Sequence, residues 1–450
     1  MILGTWTAMA LVAAMLACVF VAVSQFRKRF NPQPETSRKL LHIGMGPVIL
    51  AFPWVFETAW PVLALCACVL GAMAILRSRP AVGVFADWGH SLHDIRRSSW
   101  GDFCYPLATA ILFVVAHQEP MLYVIPMLLL IIADAVAALI GQSYGLHAYQ
   151  TLDGTKTLEG SIAFFQSAFL SVLLALILFT EVGRKETVLI ALMLGLLVTL
   201  FEAVAWRGLD NLFVPLGGFL LLKIYLAMDM RQLLARALVL CSLLAAIVFL
   251  RRRTTLNDSG VVGSVLAGYV SWAIGGWHWL LPPVIALCFY SMVVPKPNSH
   301  GRHSTLQSVF YVTAPGLFWL FLGHTLNKPL LVLPYTIAYG LQLTMSAVAR
   351  RRFLGRPALM AVSGKSALEA WSLMLIPFLL LQDAPISTPW LPLMVLPIDA
   401  SVALFFAYTQ TPRPDYPRDM SRLHVQTWIA LAVSILCWFM FDAWQQPWNA

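Results

Sequence analysis

The chain has 450 residues, of which 59% are hydrophobic and only 11% are charged, with a formal net charge of +9. Apolar runs of about 17 to 25 residues recur along it and are typical of helices that cross a bilayer, where every backbone group must be satisfied within its own segment. The sequence therefore predicts an all-α, polytopic integral membrane protein. A transmembrane β-barrel is excluded because apolar and polar residues do not alternate. A nucleic-acid-binding role is excluded because the positive charge forms no soluble basic domain.

Windows of about 19 residues give about 16 candidate transmembrane spans. The first, Met1 to Phe26, lacks the basic start and the cleavage site of a secretory signal. If the N-terminus lies outside, most of the 30 lysines and arginines fall on one face of the membrane. By the positive-inside rule that face is cytoplasmic. We expect an integral protein of a bacterial inner membrane whose active site faces the cytoplasm; the sequence gives no prediction of oligomeric state.

The polar stretch DWGHSLHD, residues 87–94, lies between two apolar runs. Its Asp87, His90, His93 and Asp94 have spacings that would suit a transition metal if the stretch were helical. No apolar shell and no further ligand follow in the sequence, so a polar surface loop is the favoured interpretation.

An aspartate interrupts the apolar stretch IIADAVAALIGQSYG. Asp134 would cost about 2.5 to 3.5 kcal/mol to insert at the centre of a membrane helix, so a partner must compensate for it. Alanines on both sides would allow a neighbouring helix or a cation to approach closely.

The run DGTKTLEGSIAFF, residues 153–165, is a polar island that leads directly into an apolar helix. Free backbone N–H groups and a lysine ammonium at a membrane surface suit phosphate binding. Asp153, Gly154, Lys156, Thr157 and Glu159 therefore indicate a phosphate and metal site. A polar loop that ends in a helix cap explains the same residues, so both interpretations stay open.

The stretch FEAVAWRGLDNLFVPLGGF places Glu202 at the end of one helix, and Asp210 with Asn211 at the start of the next. In the predicted topology these residues lie near the cytoplasmic boundary, as do Asp134 and Glu159. Several carboxylates beside one lysine are the composition of a magnesium and phosphate site.

Four motifs occur in order with matching spacing: SRKLLHIGMGPVI, DAVAALIGQSYG, KTLEGS and EAVAWRGLDNLFVPL. Together they resemble the dolichol kinase and phytol kinase family of polyprenol kinases, which are relatives of the phosphatidate cytidylyltransferases. The resemblance covers roughly the first 230 residues. It implies phosphoryl transfer from CTP, or from another nucleoside triphosphate, to the hydroxyl of an isoprenoid alcohol in the bilayer, with Mg²⁺ as the cofactor.

The resemblance also implies roles for individual residues. We expect Lys156 to contact the triphosphate and Asp134, Glu159 and Asp210 to bind magnesium or to accept the alcohol proton, without a decision between these two tasks. The further residues expected at the nucleotide and substrate site are Arg38, Lys39 and His42, as phosphate contacts, and Gly154, Thr157, Gly160, Ser161, Glu202 and Asn211.

The second half of the chain contains a faint echo of the first. In QLTMSAVARRRFLG followed by VSGKSALEAW, Thr344 stands where Asp134 does, Gly355 where Gly145 does and Glu369 where Glu159 does. These positions predict two parallel, degenerate repeats, with domains at 1–230 and 231–450. The stretch LNDSGVVGSVLAGYVSWAIGG is also similar to the phytyl phosphate kinase family. Because KTLEG has become SALEA, we favour a supporting half over an active lipid phosphate kinase.

Other classes of function stay open at this point. Repeats and intramembrane carboxylates are also features of transporters, and an accessory membrane subunit would need none of the polar residues for chemistry. A two-step kinase that makes the prenyl diphosphate, a diacylglycerol kinase and a cytidylyltransferase-like enzyme are the remaining alternatives. The apolar residues that line a lipid pocket do not identify its ligand, so the sequence does not specify the lipid alcohol.

Overall fold

The protein is described by a computed structural model. The described residues are 4–78, 100–151, 154–205, 208–250, 256–293, 305–353, 358–381, 391–410 and 419–445. Asp153, Gly355 and the polar stretch from Asp87 to Asp94 lie outside these residues. The chain divides into two compact units, Met1–Leu238 and Val239–Ala450. The division lies eight residues beyond the boundary predicted at 230, so it falls inside a helix.

The first unit is mainly helical. Its elements in chain order are α1 Thr5–Phe30, α2 Pro34–Leu50, α3 Phe52–Val55, α4 Trp60–Ser78, α5 Gly101–Ala116, α6 Pro120–Leu128, a π turn at Leu129–Ala133, α7 Asp134–Tyr144, β1 Ala148–Thr151, β2 Gly154–Thr157, α8 Leu158–Phe179, α9 Arg184–Val204 and α10 Asp210–Leu226. Helix α11, Met230–Leu250, runs across the division between the units.

The second unit is helical in the part of the chain that the structure describes. Its elements are α12 Asp258–Gly275, α13 Trp277–Val293, α14 Leu306–Thr325, a 3₁₀ turn at Pro329–Leu331, α15 Val332–Phe353, α16 Leu359–Leu380, α17 Leu391–Thr409 and α18 Met420–Gln445. Helix α15 is central: 94% of its most apolar window is buried, and it packs against α13, α14, α16, α17 and α18.

Eight helical segments in the described residues are long and apolar enough to cross a membrane, and four shorter apolar helices accompany them. The eight segments are Thr5–Phe30, Pro120–Tyr144, Leu158–Phe179, Arg184–Val204, Leu306–Thr325, Pro329–Arg352, Leu359–Leu380 and Met420–Phe441. The helical, integral membrane class is thus confirmed. The number of about 16 spans and the parallel repeats stay predictions. Helix α2, with its charged first half, belongs to neither group of apolar helices.

One element departs from the all-α prediction. Strands β1 and β2 form an antiparallel hairpin in which Ala148 pairs with Thr157, and Thr151 with Gly154. Gly154 has a φ angle of 140°, which residues with a Cβ rarely adopt. The hairpin turn therefore requires this glycine, which explains Gly154 without a ligand. Four-residue strands within a polar run carry too little pattern to be predicted.

Candidate functional site

The polar residues of the first unit gather around the beginnings of α2, α5, α8 and α10 and the end of α9. Three contacts connect these segments. A buried ion pair joins α2 to α7, an amide hydrogen bond joins α10 to α5, and an ion pair joins β2 to α9. Asp134 and Asp210 both lie within electrostatic range of Glu202, so these three pairs of segments form one site.

Asp134 begins α7, directly after the π turn, and lies inside the helix bundle. The Nζ atom of Lys39 donates a hydrogen bond to its Oδ2 atom, and the two residues are only 2% and 6% exposed. A buried charge is tolerated when an opposite charge meets it. Lys39 is therefore the compensating partner that the sequence requires for an aspartate in an apolar helix.

The first half of α2 adds further charge beside this pair. Arg38 donates to the two carboxylate oxygens of Glu35 at 3.0 and 2.5 Å, and Nζ of Lys39 is 3.8 Å from Oε1 of Glu35. Arg38 also lies within electrostatic range of Asp134 and Asp102. Two cations on α2, Arg38 and Lys39, therefore each interact with more than one carboxylate.

The hairpin places Lys156 against the end of α9. Its Nζ atom donates to the main-chain carbonyl of Glu202 and, at 2.6 Å, to Oε1 of the same residue. Burial acts to lower the pKa of Lys156, but the carboxylates of Glu202 and Asp210 outweigh it and raise the pKa above its ordinary value. Lys156 is therefore a cation throughout the physiological pH range.

Oxygen atoms without a partner occur at the end of α9 and at the beginning of α10. Oε2 of Glu202 and Oδ1 of Asn211 are buried and have no hydrogen-bond partner among the described residues. Asn211 is fixed because its Nδ2 donates to the carbonyl of Gly101 at 2.8 Å. Oδ1 of Asp210 accepts only the adjacent N–H of Asn211, at 3.0 Å, in the described contacts. Carboxylate and amide oxygens are the ligands that Mg²⁺ prefers, so these three residues fit a magnesium ion.

Glu159 does not join this group. Both of its carboxylate oxygens accept the N–H of His147 at 3.2 Å, and Oε1 lies 2.6 Å from Nδ1 of the same residue. No cluster of three or more histidine, cysteine or acidic residues suited to a metal occurs within the described ranges. The structure thus does not assemble the predicted metal set of Asp134, Glu159 and Asp210. The side chain of Glu159 turns to the hairpin and complements the positive end of the α8 dipole.

The other residues of the polar island support the junction between hairpin and helix. Thr157 is the N-cap of α8, because its Oγ1 accepts the N–H of Gly160 at 3.2 Å. The hydroxyls of Ser161 and Tyr149 lie 2.8 Å apart and tie the helix to β1. The helix cap that the sequence allowed is therefore present. Lys156, in the same polar run, pairs with the carboxylate of Glu202.

Gly160 is needed for close helix packing. A Cβ atom at this position would lie 3.1 Å from the carbonyl oxygen of Ala137 and 3.3 Å from the Cα atom of Gly141. Both are backbone atoms of α7, so they can yield only if the helix moves. This contact holds α8, and with it the hairpin, against the helix that carries Asp134.

We expect Gly160→Val to lower the free energy of unfolding by about 1 to 3 kcal/mol, because the added atoms overpack the contact between α7 and α8. Thermal unfolding in detergent measures the change. Gly71→Ala on α4 is the matched control, since a Cβ atom there meets nothing within 4 Å, and it should leave the stability equal or slightly higher. Equal melting temperatures for the two variants would contradict this interpretation.

His42, a predicted phosphate contact, is buried and packs against α5. Its ring centroid is 4.4 Å from that of Tyr105 on α5. Sequence reasoning did not identify Tyr105, nor did it identify His147 and Glu35. Tyr105 and His147 contact partners that no local spacing encodes. Glu35 stands three and four residues before Arg38 and Lys39, a helical spacing that could have identified it.

The comparisons with known proteins concern the first half of the chain. It is 30% identical over 227 residues to a phytol kinase of a Synechocystis species, and the alignment covers 49% of this chain and 92% of that protein. No protein-family profile and no solved structure matches the chain.

Proposed function

The chain belongs to the phytol kinase family through its first half, and from this we propose that the first unit transfers a phosphoryl group to an isoprenoid alcohol in the membrane. The donor is CTP or another nucleoside triphosphate. The observation that carries the proposal is the placement of two lysines, Lys39 and Lys156, beside Asp134 and Glu202 in one site at the beginnings of several helices.

The cations of the site bind the phosphates of the donor. Lys156 and Arg38 are held by carboxylates at the rim of the bundle, and Lys39 lies further inside. Phosphoryl transfer demands positioning and charge neutralisation more than covalent chemistry. The three cations supply both, because ammonium and guanidinium groups form charge-assisted hydrogen bonds with phosphate oxygens.

The oxygen-bearing residues at the end of α9 and the beginning of α10 have a separate task. Glu202, Asp210 and Asn211 would hold a magnesium ion, which when bound would neutralise part of the triphosphate charge. This assignment replaces the expected set that included Asp134 and Glu159. Asp134 then has no metal to bind: it neutralises Lys39 and contributes negative charge near the acceptor alcohol in the bundle interior.

The two substrates arrive by different routes. The alcohol diffuses laterally in the bilayer and places its hydroxyl near Asp134, inside the bundle. The nucleotide comes from the face that bears most of the basic segments, and the positive-inside rule makes that face cytoplasmic. In this proposal the protein is an inner-membrane enzyme whose transfer step takes place at the boundary between lipid and cytoplasm.

The second unit keeps its supporting role in this proposal. Glu369, the counterpart of Glu159, accepts a hydrogen bond from Arg351, and Thr344 donates to Oδ2 of Asp399 at 2.9 Å. These four residues are thus engaged with one another in pairs.

The test is an incubation of the purified protein, in detergent or nanodiscs with magnesium, with CTP or ATP labelled at the γ-phosphate. The acceptors are phytol, farnesol, geranylgeraniol, undecaprenol and diacylglycerol. We expect a labelled monophosphate of at least one isoprenoid alcohol. Folded protein that labels none of the isoprenoids would overturn the proposal, and labelling of diacylglycerol alone would move the enzyme to a different lipid class.

A further inference from the structure

We propose that His42 and Tyr105 form the binding site for the hydroxyl group of the lipid alcohol, an inference that rests on the proposed function. The rings lie side by side, with centroids 4.4 Å apart and an interplanar angle of 38°. Both residues are only 6% exposed. Nδ1 of His42 and the phenolic oxygen of Tyr105 are buried, and neither has a hydrogen-bond partner in the part of the chain that the structure describes.

Two buried polar atoms without partners, on rings that lie side by side, point to a ligand that hydrogen-bonds to them. Polar groups removed from water are normally hydrogen-bonded, because each unsatisfied group retains the penalty of its desolvation. A single hydroxyl group would satisfy both atoms at once, because it offers one donor and two acceptor positions. Both helices also carry buried apolar side chains, Ile49 on α2 and Leu112 and Phe113 on α5. An alcohol with an apolar chain suits these side chains better than a phosphate does.

The protonation state of His42 suits this task. Burial and the nearby cations Arg38 and Lys39 lower the pKa of His42 to about 3, so the ring is neutral and Nδ1 can accept a hydrogen bond. The phenol of Tyr105 then donates to the alcohol oxygen, and the alcohol donates to Nδ1. This arrangement leaves one lone pair of the oxygen directed at the γ-phosphorus.

The transfer step follows from that geometry. The alcohol oxygen forms a bond to the γ-phosphorus, while the bond from that phosphorus to the bridging oxygen breaks and the nucleoside diphosphate leaves. The hydroxyl proton passes to Nδ1 of His42. Asp134 lies within electrostatic range of the ring and stabilises the positive charge. The phosphates of the donor balance the charges of Arg38 and Lys39, which otherwise oppose protonation of the ring.

Tyr105→Phe tests the binding site, because it removes one oxygen atom and keeps the aromatic ring beside His42. We expect the KM for the alcohol to rise about tenfold, the effect of one lost hydrogen bond, and the KM for the nucleotide to stay within twofold. Without substrates, the melting temperature should stay equal or rise, because the removed group has no partner. The stabilisation by added alcohol alone should fall. His42→Phe should lower kcat by a factor on the order of 100.

Tyr123→Phe is the matched control. Its phenol is also buried but donates to the carbonyl of Ile49 at 3.1 Å. This variant should lose stability and keep the KM for the alcohol. If Tyr105→Phe instead loses stability and keeps its KM, Tyr105 has only a structural role and the inference is wrong. If the parent protein phosphorylates no alcohol, the proposed function itself fails, and alcohol-dependent stabilisation of the parent still reports on binding.

Discussion

Replacing Lys156 by alanine should lower the turnover of the lipid alcohol by a factor on the order of 100 or more, the scale of losing a preorganised electrostatic contact. The ammonium is held at 2.6 Å from Oε1 of Glu202, so it is positioned before the nucleotide binds. Its field acts on the charge that moves from the γ-phosphate to the leaving group. Steady-state kinetics with the labelled donor measure the loss.

Two further variants separate chemistry from folding. Lys156→Ala leaves Glu202 without its cation, so Lys156→Ala with Glu202→Gln should recover the melting temperature but not the activity. Lys365→Ala in the second unit changes an exposed lysine and should leave turnover within a few fold of the parent. Selective loss of a lipid diphosphate in the Lys365 variant would instead make the second unit an active lipid phosphate kinase.

The second large effect concerns the buried pair on α2 and α7. Asp134→Leu should lower the free energy of unfolding by about 3 to 5 kcal/mol, because it leaves the ammonium of Lys39 buried without a counter-charge. The double variant Lys39→Leu with Asp134→Leu should recover most of that stability, since apolar residues of similar volume replace both charges. The double variant should nevertheless be inactive. Chemical unfolding and the kinase assay, applied to the same preparations, report both quantities.

A pair in the second unit provides the comparison. Arg351 and Glu369 also form an ion pair, but the side chain of Glu369 is 33% exposed. Glu369→Gln should therefore change the free energy of unfolding by about 1 kcal/mol or less.

Full activity in the Lys39 and Asp134 double variant would contradict the proposed role of this pair in the reaction and would show that the buried pair serves packing alone.

The membrane class can be predicted from the composition alone. Several charged residues of the candidate site can be predicted as well, because they are polar residues within or beside apolar segments. An aspartate in an apolar helix and a lysine in a polar island stand out without any knowledge of neighbours. Their ion-pair partners do not stand out in this way. Lys39 is 95 residues from Asp134, and Glu202 is 46 residues from Lys156, so only the packing of helices decides these pairs.

Glu159 and Lys156 contact different partners for a physical reason. Spacing along the chain places Glu159 near Lys156, but the hairpin ends between them and a helix begins. This change of backbone geometry directs the two side chains to different partners, His147 and Glu202. The sequence does not predict a role for Tyr105, because tyrosine is common at the start of apolar helices. Only the structure shows that its hydroxyl oxygen has no hydrogen-bond partner among the described residues.

Helix α15 has a consequence for the way the protein is made. Its most apolar window has a mean hydropathy of only 1.3 and is 94% enclosed by other helices. Thr336, Gln342 and Thr344 on it are fully buried, so lipid would be a poor solvent for this helix by itself. During synthesis α15 emerges before α16, α17 and α18, which cover it. When α15 emerges, only α13 and α14 are present to cover it, and α16, α17 and α18 follow. Full enclosure of its polar side chains therefore depends on helices that are synthesised after it.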